Sequence, residues 1–305
     1  MTDQAIIAAA DESSRHWAAP GSNAIRPGSE THKALFCRML LDTHNPYKPA
    51  VIEWPRLDDD ARRRLVSLPI WDIAVQTEGK AKTRVLSYAE TIADPLLREA
   101  VALDGFEEGR HKEVLSKLVA AYGIRLGPEP EYRRPRYPRW AFMTTGFSEC
   151  IDSFFAFGLF AVAKQSRFFP PDLVETFEPV MQEEARHILF FVNWVAWHWR
   201  NLSWPRRLLL WCLIGAIWVR LVRERIGLAR GIGAEADEKP QDNNFTLTGS
   251  KALSDIDFSP AALLDVCLAE NERRMAGYDP RLLRPMFVPR LVRMVRRFLR
   301  DPKPA

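Results

Sequence analysis

Two stretches of the sequence carry the same five-residue pattern, Glu107-Glu108-Gly109-Arg110-His111 and Glu183-Glu184-Ala185-Arg186-His187. Residues three apart on a helix lie one turn above each other on the same face. Glu108 and His111 can therefore point at one target, and so can Glu184 and His187. Carboxylate and imidazole groups arranged in this way favour a metal ion as that target. The pattern predicts two helices that each contribute a Glu-x-x-His pair to one site.

A plainer interpretation is that each pair faces solvent, with Glu107 and Arg110 forming an ordinary ion pair between residues three apart. One copy of the pattern would favour that interpretation. Two copies, each preceded by a lone glutamate on an apolar helix face, favour metal ligands instead. We predict that Glu107 and Glu183 are not ligands but partners of Arg110 and Arg186.

The two lone glutamates are Glu78 and Glu149. A helix predicted from about Ile70 to Ile92 carries Glu78 on an otherwise apolar stripe. If the chain turns at Asp94-Pro95, Glu78 lies 16 residues before the turn and Glu108 lies 14 after it, which places them at nearly the same height. Glu149 lies on the inward face of a helix predicted from about Trp140 to Gln165.

The remaining core helices are predicted from Pro95 to about Tyr122 and from Asp172 to about Trp199. Between the two helical hairpins, the segment from Gly127 to Pro138 is rich in proline and charge and predicts an extended crossover. Glu149 precedes Glu184 by 35 residues and Glu78 precedes Glu108 by 30, and both separations suit a hairpin with a short turn.

The order Glu, Glu-x-x-His, Glu, Glu-x-x-His resembles that of the ferritin-like di-iron carboxylate superfamily, over about residues 70–200. In its hairpin spacing and apolar character the chain is similar to membrane-associated members such as the demethoxyubiquinone hydroxylases. The resemblance implies an all-α, ferritin-like four-helix bundle with a long crossover that holds two iron ions. It places the metal ligands, which are also the catalytic residues, at Glu78, Glu108, His111, Glu149, Glu184 and His187.

The donor set also indicates which metal is expected. Four carboxylates and two imidazoles are harder ligands than zinc sites usually have, and they suit iron, with manganese as the alternative. We expect Asp104 or Asp152 to accept a hydrogen bond from a ligating histidine on a neighbouring helix. Exposed helix acids are the alternative for both. Thr145 is placed to offer a hydroxyl at the site, although a core threonine is the commoner interpretation.

Outside the bundle the sequence predicts three further regions. Residues 1–69 form an N-terminal arm with short helices, the arm itself spanning about the first 30 residues. Residues 201–231 form an apolar, tryptophan-rich helix, and residues 232–305 form a loop followed by basic C-terminal helices. The bundle itself occupies residues 70–200. Four scattered cysteines without a C-x-x-C spacing, and a start without a signal peptide, predict a cytoplasmic protein.

The 12 uncharged residues from Leu208 to Val219 are flanked by Arg206, Arg207 and Arg220. They make about 18 Å of helix, too short for a hydrocarbon layer of about 30 Å. The helix could be buried against the bundle, lie at a membrane interface or, least in keeping with its length, span the bilayer. The arginine-rich C-terminal segment suits an anionic membrane surface or an acidic partner better than nucleic acid, since no recognised nucleic-acid motif accompanies it.

The sequence thus predicts an O2-dependent di-iron oxidoreductase that hydroxylates an apolar small molecule such as a lipid, a quinone or an acyl chain. It would receive electrons from an external donor at the inner face of the membrane. Phe142, Ala156 and Ile188 are expected to line the substrate pocket. Desaturation and N-oxygenation by the same site remain open, as does a ferroxidase or iron-handling protein with no organic substrate. A tethering protein with a vestigial site is the third alternative.

Overall fold

The computed structural model describes residues 3–47, 53–166, 169–231 and 259–299. These residues form an all-α helical bundle, which confirms the predicted fold class. The helices are α1 (Asp3–Arg15), α2 (Glu30–Asp42), α3 (Asp59–Ser67), α4 (Trp71–Ala89), α5 (Pro95–Tyr122), α6 (Pro138–Gln165), α7 (Pro171–Glu175), α8 (Glu178–Arg200), α9 (Trp204–Gly231), α10 (Pro260–Met275) and α11 (Phe287–Arg296).

Local sequence signals set the ends of the central helices. Asp94 caps α5 by accepting a hydrogen bond from the Leu97 backbone N–H, and Pro95 occupies the first turn, where no backbone donor is needed. Gly123 ends α5 with φ +69°, a left-handed conformation that glycine adopts without steric cost. The α4–α5 hairpin therefore turns where the sequence predicts.

Four helices enclose the predicted site. α4 packs along α5, α6 packs on α4 and α8, and α5 meets α8. α2 covers α5 and α8 from outside, and α10 covers α6 and α8. Both Glu-x-x-His pairs lie where α5 faces α8.

The crossover between α5 and α6 is extended, as predicted, and it lies against the first hairpin. The backbone N–H of Gly127 donates to Asp72 at 2.8 Å, and Arg134 pairs with Glu90. Tyr132 rests on Gly79, next to Glu78. A Cβ at Gly79 would lie 2.4 Å from the Tyr132 ring, so this close approach requires glycine.

The N-terminal segment differs from the loose arm that the sequence predicts. Residues 3–15 form α1, and the following residues bind the C-terminal part of the chain. Trp17 donates its backbone N–H to Gly277 O at 3.0 Å, and Tyr278 donates its hydroxyl to Ser14 O at 2.7 Å. These partners lie more than 250 residues away in sequence, so local composition could not reveal them.

The helix predicted at residues 201–231 is present as α9, which packs on α6 and α8. The last helix, α11, begins at Phe287, after Pro285, in the region where the sequence predicts basic C-terminal helices. The loop predicted to follow residue 231 falls in residues 232–258, outside the described residues. Among the helices described, α6 alone is long and apolar enough to cross a bilayer; just over half of its most apolar stretch is buried, and core helices of soluble proteins have the same character.

Candidate metal centre

The α5 and α8 helices bring five chemically reactive side chains to one buried place. On α5, Asp104, Glu108 and His111 follow one another at spacings of four and three residues, so they share a face. On α8, Glu184 and His187 do the same from the opposite side. All five are buried, with exposures of 8% or less.

The ligand atoms fall into two groups that share Glu108. Glu78, Glu108, His111 and Glu184 each offer an atom within 4.8 Å of the others. A second group at the same spacing consists of Asp104, Glu108 and His187. A carboxylate common to two such groups can bridge two ions. The structure therefore contains buried carboxylate and histidine groups that could hold a metal ion.

Each glutamate of one repeated pattern lies against the histidine of the other. His111 Nδ1 lies 3.2 Å from Glu184 Oε1, and His187 Nδ1 lies 2.9 Å from Glu108 Oε1. The sequence predicted that the two Glu-x-x-His pairs contribute to one site. In the structure the pairs are interleaved between α5 and α8, so neither group is complete without both helices.

The first glutamate of each pattern is also exchanged between helices. Glu107 binds Arg186, with Oε1 3.0 Å from Nη1, and Glu183 binds Arg110 at 2.7 Å. The partner types predicted for Glu107 and Glu183 are correct, but the stronger contacts run between the helices. Within α5, Arg110 lies 3.7 Å from Glu107. The crossed pairs tie α5 to α8 directly behind the site.

These outer glutamates also fix the two histidine rings. Glu107 Oε2 lies 2.8 Å from His187 Nε2, and Glu183 Oε2 lies 2.9 Å from His111 Nε2. An ionised carboxylate only accepts hydrogen bonds, so Nε2 is the donor in each pair, and Nδ1 faces the cluster, where its lone pair can bind a metal once Nδ1 is unprotonated. This is the orientation that a histidine ligand needs.

Unpartnered buried atoms mark the centre of the cluster. His111 Nδ1, His187 Nδ1, Glu108 Oε1 and Asp104 Oδ1 are all buried, and although they approach one another or Glu184, none of them makes a hydrogen bond of good geometry among the described residues. Leaving such groups unpaired costs about 1–3 kcal/mol each, and more when they are charged. Cations bound between them would offset that cost, so the donor set fits metal ions.

The pKa values also indicate that the cluster holds more negative charge than its surroundings compensate. Burial raises the pKa of Asp104 to about 6, with Glu107 and Glu184 adding to the effect. Burial also raises the pKa of Glu108 well above its usual range, and Glu78 and Glu184 add to it. Uncompensated carboxylates in one buried site resist ionisation, and cations would remove that resistance.

The histidines and the outer carboxylate shift in the complementary direction. Burial lowers the pKa of His111 and of His187, but surrounding carboxylates outweigh it and raise both well above the usual value. Burial raises the pKa of Glu107, yet Arg186 and the histidines hold it well below its ordinary value. Glu107 is therefore ionised and accepts from His187.

Glu149 reaches the site from α6. It is half-buried and lines a polar cavity of about 70 Å³ together with Glu78, Glu108 and Glu184, although it belongs to neither four- nor three-residue group. Burial raises its pKa well above the usual range, and Glu108 and Glu184 reinforce this. The structure thus places all six predicted residues around one centre, five of them in the two close groups.

Two other polar side chains of α6 adjoin this centre. Ser153 donates its hydroxyl to Glu184 Oε2 at 2.9 Å. Thr145 lines the polar cavity, and its hydroxyl oxygen is buried without a hydrogen-bond partner among the described residues. The expectation for Asp152 is wrong, since it binds Arg225 at 2.6 Å and Ser148 at 2.8 Å instead of a histidine.

A second, apolar cavity of about 240 Å³ ends at Glu78 and His111. Its walls are almost entirely aliphatic and aromatic and come from α3 to α8; they include Leu65, Trp71, Leu115, Leu118, Ala156, Phe160, Leu173, Phe177 and Met181. Of the three residues predicted to line a substrate pocket, Ala156 does so. Phe142 and Ile188 are packed in the main hydrophobic core instead.

Sequence reasoning missed two contributors to the site. Asp104 was considered as a partner of a histidine, yet it joins the group around His187, with Oδ1 3.7 Å from Nδ1. Its position four residues before Glu108 was the available signal. His44, from the segment after α2, lies 2.7 Å from Glu107 through Nδ1, and no spacing in the sequence indicates that contact.

Comparisons with known proteins add no relative to this description. A scan against family models, a search of curated proteins and a search of solved structures each found no match.

Proposed function

We propose that the protein is an oxidoreductase that holds two iron ions and uses O2 to oxidise, by hydroxylation, an apolar small molecule. The observation that supports the proposal most strongly is that the candidate metal groups and the apolar cavity share residues. Paired carboxylate and histidine groups share Glu108, and an apolar cavity ends at Glu78 and His111 of the same groups.

The donor set supports iron over zinc. Five carboxylates (Glu78, Asp104, Glu108, Glu149 and Glu184) and two imidazoles converge, and such a hard, oxygen-rich set suits iron or manganese. Arg110 and Arg186 are engaged by Glu183 and Glu107, so their charge is already matched outside the ligand groups. Two divalent cations would offset most of the remaining negative charge. The ions supply the redox chemistry when bound.

The protein's own residues supply orientation and exclusion of water. Glu107 and Glu183 hold the Nε2 protons of the two histidines and so aim each Nδ1. Trp71, Leu118 and Phe160 help to wall the apolar cavity and keep it dry beside the ligands. The Thr145 hydroxyl is free to donate a proton into the polar cavity on the other side.

The two cavities suggest that substrate and water reach the centre from different sides. Glu78, Ala156, Val180 and Met181 line both of them, so these residues separate an apolar compartment from a polar one. An apolar substrate would occupy the larger compartment. Protons and water would use the smaller, where Thr145, Ser148 and Asp152 lie.

The apolar cavity also weighs against a ferroxidase or iron-handling role, the second candidate. A ferroxidase needs a hydrophilic route for iron, which the polar cavity would offer, but it needs no apolar compartment beside the ligands. Here the larger cavity has almost no polar surface, which favours an organic substrate.

A single-turnover experiment tests the proposal. The protein is loaded with Fe2+ without oxygen and then mixed with O2, with and without an extract of membrane lipids. We expect a hydroxylated product, identified by mass spectrometry and carrying label from 18O2, in an amount that follows the iron content. Oxidation of iron to a mineral with no organic product would replace this proposal with the ferroxidase role.

A further inference from the structure

One side of α9 is apolar and faces outward. Trp204, Leu208, Trp211, Val219 and Val222 follow one another at helical spacing, and they are exposed, Trp204 by 76% and Trp211 by 61%. The opposite side of the same helix is buried, at Leu210, Ile217 and Leu221. The helix therefore has one apolar side in the core and another in contact with solvent. Large exposed apolar patches in soluble proteins usually mark an interaction site.

The exposed side of α9 continues onto α11. The rings of Trp218 and Phe287 lie 4.5 Å apart, and Phe287 itself is 60% exposed. Trp211 and Leu283 line one shallow groove of about 350 Å³, together with Trp199 and Phe147. Further along α11, Leu291, Met294 and Val295 are exposed, and so is Phe298 just after the helix ends. We call the exposed side chains of residues 204–223 and 283–298 the α9–α11 face.

The charged side chains of this face are arginines, although Arg220, Arg293 and Arg296 each pair with an acidic side chain at its edge. Residues 202–223 and 280–300 contain eleven arginines and not one aspartate or glutamate. The other residues of the chain are net negative, with 32 basic side chains against all 39 acidic ones. Arg206, Arg220 and Arg223 on α9, and Arg290, Arg293 and Arg297 on α11, are exposed. An otherwise acidic protein thus carries its excess positive charge on and beside its most apolar surface.

We propose that the α9–α11 face binds an anionic phospholipid bilayer. Tryptophan side chains favour the headgroup region, and arginines near an anionic surface are attracted to its phosphate groups. The groove between Trp211 and Leu283 can receive an acyl chain, because almost all of its surface is apolar. The charge matches this occupant better than a second copy of the chain, which would bring two arginine-rich faces together.

The same geometry limits how deeply the protein enters the bilayer. Leu210, Ile217 and Leu221 remain packed in the core, so α9 cannot leave the protein without exposing them. It therefore lies along the membrane surface as an interfacial helix, with the apolar side chains of one face in the acyl region. This inference concerns α9 and α11 alone and holds whether or not the metal centre is an oxygenase.

Cys212 provides a direct probe, because it follows Trp211 on α9 and is exposed, whereas Cys37, Cys150 and Cys267 are buried. The full-length protein, labelled on Cys212 with a polarity-sensitive maleimide dye, is titrated with two kinds of vesicle. One is phosphatidylcholine alone, and in the other about one lipid in three is phosphatidylglycerol. We expect a blue shift with the anionic vesicles and co-sedimentation of the protein with them. The affinity for anionic vesicles, measured by either effect, should fall at least tenfold in high salt.

Two variants with matched controls separate the apolar and the electrostatic contributions. L208S/V219S and R206Q/R290Q should each lower vesicle affinity at least tenfold, whereas V66S and R133Q, at exposed positions elsewhere, should leave it unchanged. The melting temperature of each variant identifies any that fails to fold. Failure of the wild-type protein to bind anionic vesicles would overturn the proposal. So would a concentration-dependent dimer in light scattering that L208S/V219S disrupts, because the face would then join two copies of the chain.

Discussion

The Oε2 atom of Glu107 on α5 lies 2.8 Å from Nε2 of His187 on α8, while Glu108, the next residue of α5, lies 2.9 Å from Nδ1 of the same ring. Two adjacent glutamates thus contact the two nitrogens of one imidazole ring. Glu183 and Glu184 of α8 do the same to His111, at 2.9 and 3.2 Å. The repeated pattern is therefore a reciprocal clamp between two helices, and its parts serve different purposes.

Replacing an outer glutamate should weaken metal binding without removing a ligand. For Glu183→Gln we expect the affinity for Fe2+ to fall about 10- to 100-fold, because His111 loses the charged acceptor that fixes its ring. Anaerobic titration with Fe2+ measures the change, with circular dichroism to check that the helices persist. Glu90→Gln is the matched control, since Glu90 is exposed and pairs with Arg134 in the crossover. Equal affinity in Glu183→Gln and wild type would refute the clamp.

Glu149 makes a prediction of its own because it lies outside the two close groups. If it completes the ligand set from α6, Glu149→Ala should lower the bound iron from the two ions proposed per chain to about one, because one ion would lose a carboxylate ligand. Inductively coupled plasma mass spectrometry of the reconstituted protein gives the count. Glu113→Ala, at an exposed position of α5, should keep both ions. Full occupancy in Glu149→Ala would remove Glu149 from the ligand set.

The apolar cavity can be shortened without touching a ligand. Ala163 lines it, so Ala163→Phe should keep the metal content and reduce binding of a fluorescent acyl probe at least tenfold. Ala120→Phe, on the exposed side of α5, tests for a general effect of the added ring. Probe binding that is unchanged by Ala163→Phe would mean that this cavity is not the substrate site.

Bound metal should stabilise the fold, because the folded protein gathers ligands that the unfolded chain scatters. At a free Fe2+ concentration of 100 times Kd, each site should add about 2.7 kcal/mol to the free energy of unfolding. Thermal melts with Fe2+ and with a chelator measure the difference. Glu108→Gln should lose most of it, since Glu108 belongs to both groups. A metal-induced shift that survives Glu108→Gln would place the metal elsewhere.

The N-terminal half of α8 is tied to α1 and α10 by a pH-sensitive cluster. Glu178 lies 3.0 Å from Arg274 and 3.3 Å from Arg15, and although burial alone would raise its pKa, the arginines hold it below the ordinary value of 4.5. A lowered folded-state pKa stabilises the protein above the unfolded pKa, and this stabilisation is lost as pH falls through the folded value.

Glu178→Gln should therefore reduce the free energy of unfolding at pH 7 by about 2–4 kcal/mol, since it removes the nearer of the two carboxylates beside the buried Arg274 and leaves only Glu270, at 3.5 Å. Urea unfolding at decreasing pH should show the gap between wild type and variant closing below about pH 4.5. Carboxylates become protonated near about pH 4. If the difference in the free energy of unfolding between wild type and variant stayed constant down to about pH 3, the ion pair would not contribute to stability.

The sequence predicts the helices around the site well because their signals are local. Asp94-Pro95 and Gly123 set the ends of α5, and the spacing of Glu108 and His111 follows from the helix period. The crossed contacts could not be read in the same way. Whether Glu107 binds Arg110 on its own helix or Arg186 on another depends on how α5 and α8 approach each other, and both arrangements satisfy the same sequence.

Packing between distant segments also explains why Phe142 and Ile188 do not line the cavity as predicted. Phe142 and Ile188 lie on inward faces of α6 and α8, as predicted, but those faces pack against other aromatic and aliphatic side chains and leave no space. The cavity opens where α3, α7 and the first turn of α4 meet the bundle. That meeting is set by packing between distant segments.

The most direct test of the account is the number of iron ions that the protein holds. Wild-type protein and Glu108→Gln are reconstituted with Fe2+ without oxygen, freed of loose metal, and analysed for iron per chain, with Mössbauer spectroscopy after oxidation. We expect two iron ions per chain in the wild type, magnetically coupled through a shared ligand, and at most one in Glu108→Gln. Wild-type protein without bound iron, or a Glu108→Gln variant that keeps a coupled pair, would contradict it.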